Sequence, residues 1–396
     1  MAQTDSFVLG NVPGSTFRQN LNEILAALQS TNSGSSAPTV TAPGMLWFDT
    51  TVPPGIQKIR NGADDAWLVV PFAVNVATSA QGDRADTASQ PDQYGLINSA
   101  FEFWQRAASG TINGYAACDR WANSCIGGTV TQSAQAFALG TKLGKNNPKY
   151  HLRQTVAGQS TAAHVALTLQ KIMGVRNYAG ETITILGWAK RFSGAGNIAF
   201  EATQDYGTGG SPSAAVIGIG TADIALTTSW EPFAVTIDVP SITGKTIGNN
   251  GNDSFNVLFW TSAGADFNAR SGSLGVQTIA VDLWGIHIKH GTHSALEALN
   301  YVQPPEDGIE FARCQQFYEI GTFFTQSAAG TVGFGGVQGF NTRKRGVPSL
   351  SGTIGNSFNV NTIGYQAIST QGMGMNAVAT GAGAFFFWNW AADAEL

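Results

Sequence analysis

At 396 residues the chain has room for two or three domains of roughly 150 residues each. Charged residues make up only 12% of it, against about 25% in an ordinary soluble domain; 48 residues are glycine and the formal net charge is −5. A polar, largely uncharged surface without clustered Lys or Arg excludes a phosphate-backbone binder, so no nucleic-acid partner is expected. Such a surface suits neutral polyhydroxyl ligands or further copies of the same chain.

The opening MAQTDSFVLG has neither the basic nor the apolar segment of a secretory signal, so synthesis in a cytoplasm is expected. From Ser15, Phe17, Leu21, Ile24, Leu25 and Leu28 fall on one face of a helix that Asn32 and Gly34 end. GMLWFDTT and GIQKIRNGADDAWLVV then read as short strands, the second split by a hairpin signal at Asn61 and Gly62. This gives an N-terminal module over 1–73, a helix plus a small β-meander. The polar, aperiodic stretch at 74–95 reads as a linker or neck.

Over 96–305 period-two segments recur between Gly, Asn and Ser: HVALTLQKI, ETITILGWAKRF, NIAFEATQD, DIALTTSWEPFAVTIDV, SFNVLFWTS and VQTIAVDLWGIHIKH. With no helix between them, they predict an antiparallel jelly-roll β-sandwich. In the last segment the apolar phase switches at Gly285, which predicts a β-bulge there. Trp188, Trp230, Trp260 and Trp284 sit in these alternations and read as core. In FEFWQRA, Phe101 and Phe103 are expected on one face of a first strand and Glu102 and Trp104 on the other. Arg106 or Arg120 is expected to pair with Glu102 or Asp119. Residues 306–396 read as a small C-terminal β domain with one short helix near Ile309, ended by Gly321. TRKRG around Lys344 reads as a solvated loop and ADAEL as a polar tail. The fold class is therefore mainly β.

No motif for enzymatic chemistry stands up. ITGKT at Lys245 lacks the first glycine of a phosphate loop, and no G-x-S-x-G, H-E-x-x-H or G-x-G-x-x-G occurs. Glu102 with Asp119, or Asp205 with Asp253, would suffice for a glycosidase pair, but no solenoid period accompanies them. His287, His290 and His293 in HIKHGTH invite a metal reading; along a strand His287 and His290 face opposite sides, so no metal is expected. Cys314 reads as a small buried hydrophobe rather than a nucleophile, and a Cys118–Cys125 disulfide is not expected. No catalytic residue and no cofactor are expected. AFFFWNWAA from Ala384 is far short of the ~20 residues of a bilayer span, so no membrane insertion is expected. The candidate glycan contacts are the aromatics Tyr365, Trp388 and Trp390.

Three stretches together resemble tailed-phage tail fibres and receptor-binding proteins. STFRQNLNEILAALQSTNSGSSAP with GMLWFDTT and KIRNGADDAWLVV is similar to a fibre's tail-attachment module. NSAFEFWQRA with CDRW resembles the opening of a jelly roll that is similar to carbohydrate-binding modules. LWGIHIKHGTHSALE with EFARCQQFYE, TRKRGVPSLSG and ADAEL resembles the end of that jelly roll joined to a C-terminal β domain, a receptor-binding tip. The resemblance implies a homotrimer in the virion tail. Phe17, Leu21, Ile24, Leu25 and Leu28 would attach it to tail or baseplate proteins, and it would adhere to a host surface glycan or outer-membrane receptor. Where relatives carry a Gln-Leu-Glu strand this chain has His287, Ile288 and Lys289, then Ser294 and Ala295, so no role of that glutamate carries over. The alternatives are a glycan-degrading or deacetylating tail enzyme and a purely structural tail component.

Overall fold

The computed structural model describes residues 9–29, 32–51, 53, 55–70, 95–301, 308–328, 330 and 333–395, which fall into two compact units, Met1–Gln90 and Pro91–Leu396. The expected linker lies, up to residue 94, outside the described residues.

In the first unit the predicted helix is α1, Gly14–Gln29. Asn32 follows in the left-handed region, φ 51°, and its amide donates to the Ala27 carbonyl at 2.6 Å, closing the helix end. The meander is β1 (Leu46–Asp49), β2 (Ile56–Arg60) and β3 (Trp67–Val69), antiparallel in that order. The β2–β3 turn differs from the two-residue hairpin that Asn61-Gly62 suggests. Asp64, not Gly62, takes the positive φ, and the Asn61 side chain accepts from the amides of Asp65 and Ala66. Lys58 reaches across to Asp49 at 2.7 Å, and this bond, with those from Thr51, lowers the Asp49 pKa to about 2. On α1, Phe17, Leu25 and Leu28 are 39%, 53% and 60% exposed, while Leu21 and Ile24 are half-buried.

The second unit opens with the sandwich. Its strands are β4 (Ser109–Gly110), β5 (Ala122–Ile126), β6 (Thr129–Ala136), β7 (Tyr150–Ala157), β8 (Val165–Met173) and β9 (Thr182–Gly194). Then follow β10 (Ile198–Asp205), β11 (Val216–Ile224), β12 (Glu231–Asp238), β13 (Ser254–Ala263) and β14 (Ile279–His290). They form a five-stranded sheet, β11-β10-β13-β8-β5, facing a six-stranded one, β12-β9-β14-β7-β6-β4. Between the sheets lie Phe101, Trp121, Phe200, Phe233, Phe255 and Phe259, among them ring contacts of 5.1–6.4 Å.

All ten residues of β13 are buried, because the outer side of its sheet is also covered: Phe267 and Leu274 pack over Leu258 and Trp260. Under that cover Glu201 is fully buried and receives the Arg270 guanidinium at 2.8 and 2.9 Å. The predicted bulge is present. The β14–β9 register shifts between Trp284 and His287, and Gly285 has φ 64°.

The C-terminal domain starts with α2 (Ile309–Gln315) and continues through β15 (Tyr318–Ser327), β16 (Gly333–Gly339), β17 (Ser349–Phe358), β18 (Val360–Gln366), β19 (Gly372–Ala379) and β20 (Ala384–Asp393). Two three-stranded sheets, β15-β20-β17 and β16-β19-β18, enclose Phe323, Met373, Met375, Ala377, Phe386 and Trp390. Gly321 does not end the helix. It lies in β15 under the Trp390 ring, where an added Cβ would come within 2.4 Å of that ring.

Four local expectations are corrected. FEFWQRA is not a strand: Phe101 has φ 58°, and the segment runs as loop into the two-residue β4. Arg106 and Arg120 take partners at the C-terminal end of the chain rather than Glu102 or Asp119. Arg106 bonds Asp393 at 2.8 Å and Glu395 at 3.2 Å, and buried Arg120 bonds Glu395. ADAEL is therefore no solvated tail, because its carboxylates neutralise guanidinium groups that the sandwich has desolvated. Lys344 is likewise no loop charge. It is fully buried against Glu319 and the Gln315 carbonyl.

Candidate functional site

The outer face of the six-stranded sheet is partly covered: Asp282, Trp284, Trp188 and His151 are buried, while Phe192 and Thr155 are exposed. Antiparallel pairing sets its rows: Ser133 opposite Arg153, Arg153 opposite Asp282, and Asp282 opposite Lys190. Next along lie Gln135 opposite His151, and Trp284 opposite Trp188. A register shift in the β9–β14 ladder between Ala280 and Val281 leaves Phe192 without a partner there, and its ring turns to the outer face.

Asp282 is the electrostatic centre of this face and has no exposed surface. Arg153 approaches it as a fork, Nε to Oδ1 at 2.6 Å and Nη2 to Oδ2 at 2.8 Å. Lys190 Nζ stands 3.4 Å and His151 Nε2 3.1 Å from Oδ2. Burial pushes the Asp282 pKa up, but the Arg153 and His151 contacts outweigh it and hold it below the usual carboxylate value. A saturated, ionised carboxylate neither donates a proton nor attacks a substrate. It aims its cations instead. Arg153 stacks on Phe192 with its guanidinium carbon 3.3 Å from the ring centroid, and Nη1 donates to Gln135 at 3.3 Å. Lys190 lies 5.2 Å from the Trp230 ring, which meets Phe137 at 5.3 Å and, edge-on, His151 at 5.2 Å.

The result is a platform with two aromatic stations. Phe192 is 54% exposed, and Trp230 and Phe137 are half-buried; beside them stand the donors and acceptors of Arg153, Lys190, Gln135, Ser133 and Thr155. Aromatic faces beside fixed hydrogen-bonding groups are what a sugar ring needs, apolar C–H against the π face and hydroxyls against the polar groups. Trp230 lies just before β12 and is half-buried against the sandwich core, whereas Trp188, Trp260 and Trp284 are buried. The signal for the platform lay in WAKRF, which puts Trp188, Lys190 and Phe192 at period two, and in a charged Asp282 amid the apolar β14.

The aromatics singled out from sequence lie elsewhere. Trp390 is 4% exposed above Gly321, and a covered ring offers no stacking face. Trp388 is half-buried, packed against the domain core beside Gly352. Tyr365 is exposed and donates its hydroxyl to the Leu350 carbonyl at 3.0 Å. None of the three lines the cleft of about 750 Å³ that runs along β16 and β19. A further aromatic cluster involves the opposite phase of β20, with Phe324, Phe358 and Phe387 exposed and Phe385 half-buried. Phe385 and Phe387 meet Phe324 on β15 at 6.5 and 4.5 Å, and Phe385 stacks on Phe358 of β17 at 6.1 Å.

Three of the four carboxylates considered as acid pairs hold loop or turn amides. Asp119 accepts from the Gln105 amide at 3.0 Å and from its side chain at 2.7 Å, and burial raises its pKa to about 6. Asp205 accepts from the Gly207 amide and Asp253 from the Val175 amide. The three histidines diverge. His287 is buried against Tyr301 with its pKa lowered to about 4 by desolvation, His290 meets Glu181, and His293 meets Glu297 at 2.8 Å. Among the described residues no group of three or more His, Cys, Asp or Glu is placed to hold a metal, and no helix is long and apolar enough to cross a membrane. Cys118, Cys125 and Cys314 are free thiols.

No family model and no curated protein matches the chain. Among solved structures it is similar to the enzymatically active domain of tailspike protein 4 of bacteriophage CBA120, at 11% identity and TM-score 0.30, over 50% of this chain and 21% of that one. It is also similar to the CBM22-1 xylan-binding domain of Paenibacillus barcinonensis Xyn10C, at 14% identity and TM-score 0.26, covering 47% and 94%. A third is the family 11 carbohydrate-binding module of the cellulase Lic26A-Cel5E of Clostridium thermocellum, at 9% identity and TM-score 0.28, covering 47% and 96%. Likenesses of this size assign neither a ligand nor an activity to this chain.

Proposed function

We propose that this protein is an adhesin, a tail fibre or receptor-binding protein of a tailed-phage virion, and that it holds a cell-surface glycan on the outer face of its six-stranded sheet. The observation that carries the glycan reading is the platform itself: Phe192 and Trp230 flank an Arg153–Lys190 pair fixed by a carboxylate that faces no solvent. A platform suits an extended chain, which gains affinity by laying successive sugars on successive stations.

Adhesion without catalysis is supported by what the carboxylates do. Asp282 is saturated, and Asp119, Asp205 and Asp253 each hold a turn or loop amide. Assembly as a homotrimer in the virion tail is the companion proposal. Phe324, Phe358, Phe385 and Phe387 form an apolar face whose neighbours Thr322, Thr353, Asn356 and Asn389 are uncharged, so covering it with another copy buries no charge. The helix stripe of Phe17, Leu21, Ile24, Leu25 and Leu28 is the surface proposed for tail or baseplate attachment. Several copies per virion then turn weak individual contacts into firm attachment.

The test is to incubate purified protein with a panel of immobilised bacterial surface polysaccharides. Saturable binding that leaves chain length unchanged is expected. Shortened chains or released acetate would instead make it a tail enzyme, and no binding to any glycan would leave the structural tail component as the surviving account.

A further inference from the structure

A second cleft, of about 550 Å³, lies where the sandwich meets the C-terminal domain and shares no residue with the platform. Its volume is within the range of about 300–1,000 Å³ typical of small-molecule sites. In a chain where 12% of residues are charged, four of the residues lining this one cleft are Lys or Arg: Arg120, Lys171, Arg176 and Arg313.

The charges do not balance. Arg120 is met by Glu395, Arg313 by Glu310 at 2.8 Å, and the one lining carboxylate, Glu181, is met by His290. Lys171 and Arg176 have no side-chain partner among the described residues, so among these residues two positive charges face the cleft without a counter-charge. The loop that carries Arg176 is tightly built. Val175 N donates to Asp253 at 2.8 Å, Asn177 Nδ2 donates to the Met173 carbonyl at 2.6 Å, and Ala179 N to the Arg176 carbonyl at 3.3 Å. Within it Tyr178 holds φ 63°, a left-handed conformation that a bulky side chain rarely adopts. Tyr178 lines the cleft with Arg176 and Asn177, its ring held by Phe255 at 5.4 Å and His290 at 5.5 Å.

We propose that this cleft is a second ligand site, and that it receives the carboxylate or phosphate group of an acidic sugar. The anion would sit between Lys171 and Arg176, where each charge-assisted hydrogen bond forms without displacing an existing ion pair. The sugar would lie beside Tyr178 with Asn177 and Gln316 within reach of its hydroxyls. The site adds selectivity for acidic glycans that the platform does not supply.

The experiment titrates the full chain, by calorimetry and by NMR, with glucuronic acid, glucose 6-phosphate, glucose and inorganic phosphate. Saturable binding of the two acidic sugars and none of glucose is expected, with inorganic phosphate weaker than glucose 6-phosphate. Lys171→Gln with Arg176→Gln should weaken both acidic sugars by at least about tenfold, the order expected for losing charge-assisted contacts. Exposed Arg176→Gln alone provides a folded variant should the pair destabilise. Phe192→Ala, on the platform, should leave this binding unchanged, so failure here is distinct from failure of the platform. Equal binding of glucose and glucuronic acid, phosphate binding as tightly as the sugar phosphate, or affinity unchanged in both Gln variants would each overturn the proposal.

Discussion

Two outward sheet faces of this molecule carry exposed phenylalanines, and they are built differently. On the sandwich, Phe192 lies under a guanidinium that is itself forked onto buried Asp282. On the C-terminal domain, Phe324, Phe358, Phe385 and Phe387 touch one another and are bordered by Thr and Asn. The first arrangement keeps its polar groups aimed outward at the expense of a desolvated carboxylate, which makes sense for a ligand rich in hydroxyls. The second has no charge to satisfy and gains most by being covered with protein. Exposed aromatics alone do not mark a glycan site; the polar geometry beside them does.

The largest expected effect tests the foundation of the first face. Arg153→Ala strands Asp282 in the sheet and should lower unfolding free energy by about 3 kcal/mol in a urea titration, toward the low end for a broken buried pair because Lys190 remains. Phe387→Ser on the other face should change monomer stability by less than about 0.5 kcal/mol, as surface substitutions do. Equal losses from the two would erase the distinction.

A comparable effect is expected in pH. His287 is neutral in the fold with its pKa lowered to about 4, so its contribution is present above about 6.5 and lost as pH falls from there to about 4. Asp119, raised to about 6, runs the other way: the fold favours its protonated form, and stability is lost as pH rises from about 4 to about 6. Each slope integrates to on the order of 3 kcal/mol, so in the wild type they nearly cancel. Asp119→Asn should expose the histidine slope, with unfolding free energy falling as pH drops, and His287→Phe the opposite slope. Identical pH profiles for wild type and both variants would refute the assignment.

Assembly sharpens the comparison next. Phe324→Ser with Phe387→Ser should shift the light-scattering mass from a multiple of 41.5 kDa toward that of one chain, while Phe192→Ala should not. A wild type that is already monomeric would remove the reason given for the second face. The smallest effect belongs to Tyr365→Phe, which loses a hydrogen bond to Leu350 and should cost about 0.5–1 kcal/mol without altering glycan binding. Loss of binding there would return the glycan site to the C-terminal domain.

Much of the fold was legible because period-two patterning and turn residues act locally. The α1 stripe, the strands of the sandwich and the Gly285 bulge all come from spacing. What escaped depends on distant partners. Nothing near Arg120 reveals that Glu395, 275 residues on, will neutralise it, and nothing in TRKRG reveals that Glu319 buries Lys344. The two phases of FFFWNW were readable, but which one faces solvent was decided by Gly321 and Gly352 making room for Trp390 and Trp388. The platform was missed for a related reason. Trp230 and Phe192 look like core in one dimension, and only the register shift in β9 turns Phe192 outward beside Arg153.

The most direct measurement is the affinity of Phe192→Ala with Trp230→Ala for a surface polysaccharide that the wild type binds, read by calorimetry beside a melting curve. The account predicts at least about a tenfold loss of affinity, as stacking worth about 1–3 kcal/mol per ring implies, with the melting transition little changed. Undiminished binding by this folded double variant would contradict it.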